Sequence, residues 1–433
     1  MTGMDSAAAP FATKEVPAEL ASTALPTPAQ AVSWFVPGRI EVLGKHTDYA
    51  GGRSLLAAAS LGITFQARAN GEDVVRVSSD AVDEPVALPL SDQIDGYGGG
   101  HWAGYAAAVV SRLVANFPGQ IKGADIEVST TLPLASGMSS SSAMVVGLAR
   151  CLMDLSGVES SDAFRRNIAS PEEFAAYLAC NENGMSFKEL AGHKGVGTFG
   201  GSEDHTAMMC GETDALVQYS FCPVRRERVV PFPADYSFVV AVSGVLAEKT
   251  GAALEDYNRA SQSTRDILAM WNEKTGRSDL FLADAVNSSD EAADQIREIV
   301  GEDGYLRKRL EQFLIESYEL VPAAGDALEA GDIEEFGRVV ELSQHWTDHG
   351  LGNQVPATRA LARLAKEQGA AAASAFGAGF GGSVWALVPT QEADAFAERW
   401  LEAYREEFPT EADNAKMLVT RPGANAHRIA LNF

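Results

Sequence analysis

Residues 37–52 read Pro37-Gly38-Arg39-Ile40-Glu41-Val42-Leu43-Gly44-Lys45-His46-Thr47-Asp48-Tyr49-Ala50-Gly51-Gly52. Ile40 and Val42 alternate with Arg39 and Glu41, the period-2 pattern of a strand with one buried face. Such a strand ends at Gly44 and delivers His46, Asp48 and Tyr49 onto a loop, where ligand-binding groups concentrate. Imidazole, carboxylate and phenol within four residues can hydrogen-bond a polyol from several directions. Alone, such a loop is more often ordinary turn chemistry than a binding site.

Three later segments extend the pattern. Leu132-Pro133-Leu134-Ala135-Ser136-Gly137-Met138-Ser139-Ser140-Ser141-Ser142-Ala143 is a Gly/Ser loop that runs into the helix start Met144–Ala149. Free N–H groups and the positive dipole end at a helix N-terminus favour an anion, and serine hydroxyls there add hydrogen bonds or a metal ligand. No Gly-Lys-Ser/Thr follows, so this is not a P-loop. Ala375-Phe376-Gly377-Ala378-Gly379-Phe380-Gly381-Gly382-Ser383 is a glycine loop leading into a strand, and its glycines permit close backbone approach to a ligand. Gly200-Gly201-Ser202-Glu203-Asp204-His205 puts a carboxylate just after a glycine turn, with Glu203 and Asp204 as competing candidates.

The chain has 433 residues, 46% of them hydrophobic, which fits two compact α+β domains with room for insertions. Its formal charge of −25 disfavours phosphate-backbone and anionic-membrane partners. Neither a nucleic acid nor a membrane is an expected partner. Cys151, Cys180, Cys210 and Cys222 show no metal-ligand spacing, so a reduced, cytoplasmic protein is expected. Residues 1–30, rich in Ala, Thr and Pro, read as a flexible lead-in with a short helix near Ala18–Ser22.

Strands are expected at Ile63–Ala69, Val74–Ser78, Ala124–Thr130 and Ala215–Ser220, with helices at Trp102–Ala115, Ala143–Leu155 and Pro171–Cys180. Prolines at 223, 231 and 233 mark a seam near 235, and Ser237–Val242 begins a second unit. That unit is helical at Lys249–Glu273, Glu291–Arg297, Tyr305–Glu329, Ile333–His345 and Pro356–Glu367, with strands at Val384–Val388 and Lys416–Thr420. Domains 31–235 and 236–433 follow.

The motifs, in this order and at these distances, resemble the GHMP kinase superfamily, and within it the galactokinases, over roughly residues 31–430. The resemblance implies an N-terminal domain like the second domain of ribosomal protein S5, a ferredoxin-like C-terminal domain, and an active site between them. It implies transfer of the γ-phosphate of ATP, with Mg2+, to the anomeric hydroxyl of a monosaccharide by a monomer. Asp204 would be the base that faces the sugar hydroxyl and Arg39 would oppose the charge that builds in transfer. His46, Asp48, Gly201 and Tyr257 would line the sugar site. Gly137, Ser139, Ser140, Ser141 and Gly379 would hold the phosphates, with Trp102 against adenine. Ser141 and Glu182 would ligate Mg2+, Glu189 being the rival carboxylate because extra residues separate Glu182 from Asp204.

Lys45 departs from the family, which carries Glu there to accept a hydrogen bond from the C6 hydroxyl of the sugar. Lysine only donates. Either Lys45 meets a carboxylate on a galacturonate-type substrate, or it pairs with Glu41 or Glu203 while the substrate is galactose or arabinose, or it turns to solvent. A different class, a non-catalytic sugar and ATP sensor, is disfavoured by the uninterrupted Ser139–Ala143 run and by the presence of Arg39 and Asp204.

Overall fold

Alternation in residues 31–43 produces a long strand whose pleat is interrupted where the site begins. In the computed structural model, which describes residues 30–97, 102–133, 137–246, 254–302 and 304–431, β1 spans Ala31–Leu43 and pairs antiparallel with β2, Arg53–Ala69. The register slips between Pro37 and Arg39 and again between Glu41 and Leu43. Bulges of this kind bend a strand and re-aim side chains. Between the slips Arg39, Ile40 and Glu41 pair regularly with Ala58, Ala57 and Leu56, so Arg39 and Glu41 share one face. The expected flexible extension 1–30 lies outside the described residues, apart from Gln30.

β2 joins two arms of the first sheet. Its start pairs with β6 (Ala215–Ser220) and its end with β5 (Ala124–Thr130). β3 (Val74–Ser79), β4 (Val82–Pro89) and β7 (Arg225–Pro231) complete those arms. The helix Ser140–Ser156 packs on β1 and β2 through Val145, Val146 and Leu148, all buried in the main core. A side chain at Gly147 would collide with the Phe65 ring, so glycine sets how closely the helix meets the sheet.

The second sheet has strand order β11-β8-β10-β9, all antiparallel, from β8 (Tyr236–Val242), β9 (Ala372–Phe376), β10 (Ser383–Pro389) and β11 (Lys416–Thr420). In chain order that is 4-1-3-2, the ferredoxin-like arrangement, with the helix Ala393–Glu407 as its second crossover. Helices between residues 254 and 367 enlarge the first crossover. The start expected for the first of them, at Lys249, lies outside the described residues; the helix is described over Leu254–Thr275.

The structure departs from expectation in several places. The segment Tyr305–Glu329, expected as one helix, contains a π-helical turn at Glu316–Leu320. The Ala-rich strand β9 carries no alternating signal and escapes a periodicity reading. The seam near 235 does not separate the halves cleanly, because the chain returns to the first sheet: β12, His427–Arg428, pairs with β1, and the Gly423 N–H donates to the Ala58 carbonyl. A third apolar cluster, with Ile267, Trp271 and Phe313, packs on Ala50 and Tyr49 and so ties the loop after β1 to the helical insertion.

Candidate functional site

Arg39 sits mid-strand and is 2% exposed. Its Nε donates to Asp204 Oδ1 at 2.7 Å, and Nη2 bonds the same oxygen and also Ser139 Oγ, the latter at 2.9 Å. Its Nη1 reaches the Gly137 carbonyl at 3.3 Å. One guanidinium therefore joins the first strand, the serine loop and the aspartate, which is 165 residues away. Burial alone would lower its pKa, but the Asp204, Glu41 and Glu203 carboxylates together raise it, so Arg39 stays charged.

Asp204 lies in the first turn of the helix Glu203–Cys210. Its other oxygen accepts from Ser142 Oγ at 3.3 Å, and that hydroxyl also lies 2.6 Å from Glu182 Oε1. Glu182 comes from the end of the helix Pro171–Asn183, and His205 Nε2 stands 3.4 Å from the same oxygen. Ser142, fourth in the serine run, is the serine bonded to Glu182, whereas Ser141, the expected metal ligand, is half-buried one residue earlier on the helix. The turn of the helix decides which hydroxyl faces inward, and motif spacing does not report that turn. Glu189 is no rival: its carboxylate is 72% exposed beside Arg166.

Ser139 caps the helix in a left-handed conformation, φ 58°, and its side chain makes no cap bond because Arg39 takes it. The first N–H groups of the helix are left for another acceptor. Gly137, with φ 73°, lies against the Ser383 backbone, so the serine loop and the glycine loop abut. At Gly377, with φ 81°, an added Cβ would meet the Gly137 carbonyl and approach Arg39 Nη1. Gly379 is placed against Asn353 in the same loop. Ser140 begins the helix half-buried. Trp102, half-buried, immediately precedes the helix Ala103–Asn116 and packs at the edge of the main core, whereas Tyr105 is core.

A cavity opens beside the Arg39–Asp204 pair. Its walls include Glu41, His46, Asp48, Gly201, Glu203 and Tyr257, so it is strongly polar. The Ala378 carbonyl can only accept, so His46 Nε2 carries the proton in its 3.0 Å bond there, and Nδ1 faces Tyr49 Oη at 3.0 Å. Asp48 accepts from the Tyr49 and Glu203 backbone N–H groups at 2.8 and 3.0 Å. No side chain fits at Gly201, where a Cβ would lie 2.3 Å from Asp48 Oδ2. Arg309, fully buried, braces the loop from the helical insertion by donating to the His46 carbonyl and to Tyr49 Oη. No sequence signal marks it, because its partners lie about 260 residues away.

Lys45 does not line this cavity. Its side chain is 1% exposed, and Nζ donates to Ser343 Oγ at 3.2 Å and to the Val42 carbonyl at 3.4 Å. Glu316, in the π-helical turn, accepts from Ser343 Oγ and from the Gly44 N–H at 2.9 and 2.7 Å. The solvent alternative for Lys45 is therefore excluded, and contact with a substrate in this cavity is not what the geometry provides.

Glu203 is buried, accepts from Ser54 Oγ at 2.7 Å, and has its pKa pushed well up by burial first and then by Glu41 and Asp48. As pH rises above the ordinary glutamate range, the unfolded chain gives up this proton while the folded chain holds it, so stability falls with rising pH. Glu203→Gln removes the titration and keeps an acceptor for Ser54. Chemical denaturation should show the variant gaining on the wild type from about pH 5 toward pH 8. A gap that does not change with pH contradicts a raised Glu203.

A buried guanidinium aimed at one carboxylate, beside a serine-capped helix start and a polar cavity, is the equipment of a phosphotransferase for a small hydroxylated molecule. Family models agree along the chain: the GHMP kinases N terminal domain matches residues 104–177, GHMP kinases C terminal matches 326–406, and the galactokinase galactose-binding signature matches 26–69. The chain thus has the GHMP kinase fold, with matches to both the N- and C-terminal domains of those kinases, and is a kinase. Galactokinase of Enterococcus faecalis is 26% identical over 382 residues, covering 88% of this chain and 91% of the relative. Galactokinase of Pyrococcus furiosus is 26% identical, covering 89% and 96%. Among solved structures, Lactococcus lactis galactokinase complexed with galactose superposes with a TM-score of 0.73 at 24% identity, covering 92% and 95%. Mevalonate kinase of L. major, in complex with R-mevalonate, gives 0.54 at 15%, covering 90% and 96%. No helix of the described residues is long and apolar enough to cross a membrane.

Proposed function

We propose that this protein transfers the γ-phosphoryl group of ATP to the anomeric hydroxyl of a neutral monosaccharide, galactose first. The observation that carries the reading is the Arg39–Asp204 pair in the wall of the polar cavity. Phosphoryl transfer has a loose transition state, so positioning and charge stabilisation do most of the work. Arg39 orients Asp204 through Nε and Nη2, both bonded to Oδ1. Asp204 accepts a hydrogen bond from the sugar hydroxyl and takes its proton late, once the oxygen is acidic, so a weak base suffices. Arg39 also opposes the negative charge that spreads between acceptor oxygen and phosphoryl group. Ser139, Ser140 and the helix N-terminus receive the phosphates.

The donor set near Asp204 suits Mg2+: Glu182 and Ser142 offer hard oxygens, and this ion keeps several waters and needs few protein ligands. Among the described residues there is no larger cluster of metal-binding side chains. Glu182 with a hydroxyl of the serine run would hold it. Bound there with the nucleotide, Mg2+ supplies neutralisation of phosphate charge.

Among the described residues, Glu41, Asp48, Glu203 and Asp204 line the cavity with Arg39 as its single cationic side chain, while Lys45 points elsewhere. A substrate carboxylate would meet Asp48 and Asp204 there, with Arg39 already bonded to Asp204, which favours a neutral sugar over galacturonate. Purified protein with ATP, Mg2+ and a panel of free sugars, followed by ADP release, tests this. Galactose should turn over and galacturonate should not; galacturonate as the better substrate sinks the reading.

A further inference from the structure

Glu41 lines the cavity, is 3% exposed, and belongs to no part of the mechanism above. One of its oxygens, Oε2, accepts the Gly377 N–H at 3.1 Å. The other, Oε1, is buried with no hydrogen-bond partner. A buried carboxylate oxygen left unpaired is costly, and such a group in a native site calls for a missing partner. The nearest lysine in the chain does not supply it, because Lys45 Nζ is spent on Ser343 and the Val42 carbonyl. Burial pushes the Glu41 pKa up, and the positive charges of Arg39 and then Lys45 oppose that shift without cancelling it.

We infer that Glu41 is a sugar-selecting residue: its free oxygen takes a hydrogen bond from one substrate hydroxyl other than the one phosphorylated. The inference rests on the sugar kinase reading and names a contact within it. Arg39 and Glu41 lie on one face of β1, two residues and so about 7 Å apart along the strand. That is the span of a monosaccharide. A ring whose reacting hydroxyl meets Asp204 beside Arg39 therefore brings a second hydroxyl to Glu41. The register slips on either side of Arg39–Glu41 are the backbone device that aims both side chains into the cavity. Family likeness placed the accepting carboxylate at position 45, where this chain has lysine. Here an acidic side chain lines the cavity from position 41 instead, while Lys45 is held outside it by Ser343 and the Val42 carbonyl. A site built to bond a hydroxyl rejects the analogue that lacks it far more strongly than an apolar pocket does.

The test pairs Glu41→Gln with galactose and its singly deoxygenated analogues, measuring KM and kcat for each. In the wild type, one deoxygenation should raise KM roughly 10- to 100-fold through loss of the bond to Glu41. In the variant that same deoxygenation should cost little further, while deoxygenation elsewhere keeps its full penalty and the KM for ATP does not move. Gln keeps an acceptor for the Gly377 N–H, so a uniform rise across all sugars shows that Glu41 only supports the glycine loop and overturns the inference. Unchanged KM for galactose overturns it too. If Glu41→Gln does not fold, Glu41→Asp, which withdraws the carboxylate, should give the same position-specific pattern. A wild type that phosphorylates no sugar overturns the functional reading itself, a result distinct from an active enzyme indifferent to Glu41.

Discussion

Asp204→Asn should lose roughly 100- to 10,000-fold in kcat, the range general-base catalysis contributes, with little change in ATP affinity. Asparagine is nearly isosteric, and its amide oxygen still accepts from Arg39, so the buried contact survives in part. What disappears is the group that takes the proton. Orientation of the sugar hydroxyl partly survives as well, which keeps the loss short of the full rate enhancement. Steady-state kinetics with galactose and nucleotide binding by calorimetry separate the two effects. A variant that keeps its rate assigns the proton to Glu203 or dispenses with a base.

Arg39→Leu should abolish turnover and also cost about 3–5 kcal/mol of stability, the usual result of removing one partner from a buried ion pair. Asp204, Glu203 and Glu41 all draw on this guanidinium, and Glu203 is 3.9 Å from its Nε. Without it the carboxylates face one another in a buried site. Acid relieves the strain, because protonated carboxyls no longer repel. Denaturation curves should therefore show a larger gap between variant and wild type at pH 8 than at pH 5. A variant as stable as wild type at pH 8 removes Arg39 from its central place.

Much of this was readable from residues alone, and the failures share a cause. The strands at Ala124–Thr130, Ala215–Ser220 and Lys416–Thr420 and the helix Pro356–Glu367 fall on their expected bounds, because turn residues or prolines punctuate a clean period there. β2 begins ten residues before the expected strand, at Arg53 rather than Ile63, since Leu55–Ala59 is a continuous apolar run buried on both faces. Site residues carried by local motifs, Arg39, His46, Asp48, Gly201 and Asp204, meet around one cavity together with Tyr257. Side-chain direction was not legible. Whether Ser141 or Ser142 turns inward depends on helix phase, and whether Lys45 or Glu41 enters the cavity depends on a register slip between Glu41 and Leu43. Neither has a signature in composition or spacing. Arg309, Gln312 and Glu316 brace the loop around Lys45 from a distant helix, through long-range packing that one sequence does not report.

Phosphorus NMR of the product formed from ATP, Mg2+ and galactose tests the central claim most directly. Wild-type protein should yield a phosphate coupled to the anomeric proton of the sugar, and the Asp204→Asn protein should yield almost none. A phosphate attached at another ring position, or ATP consumed only to inorganic phosphate, would contradict it.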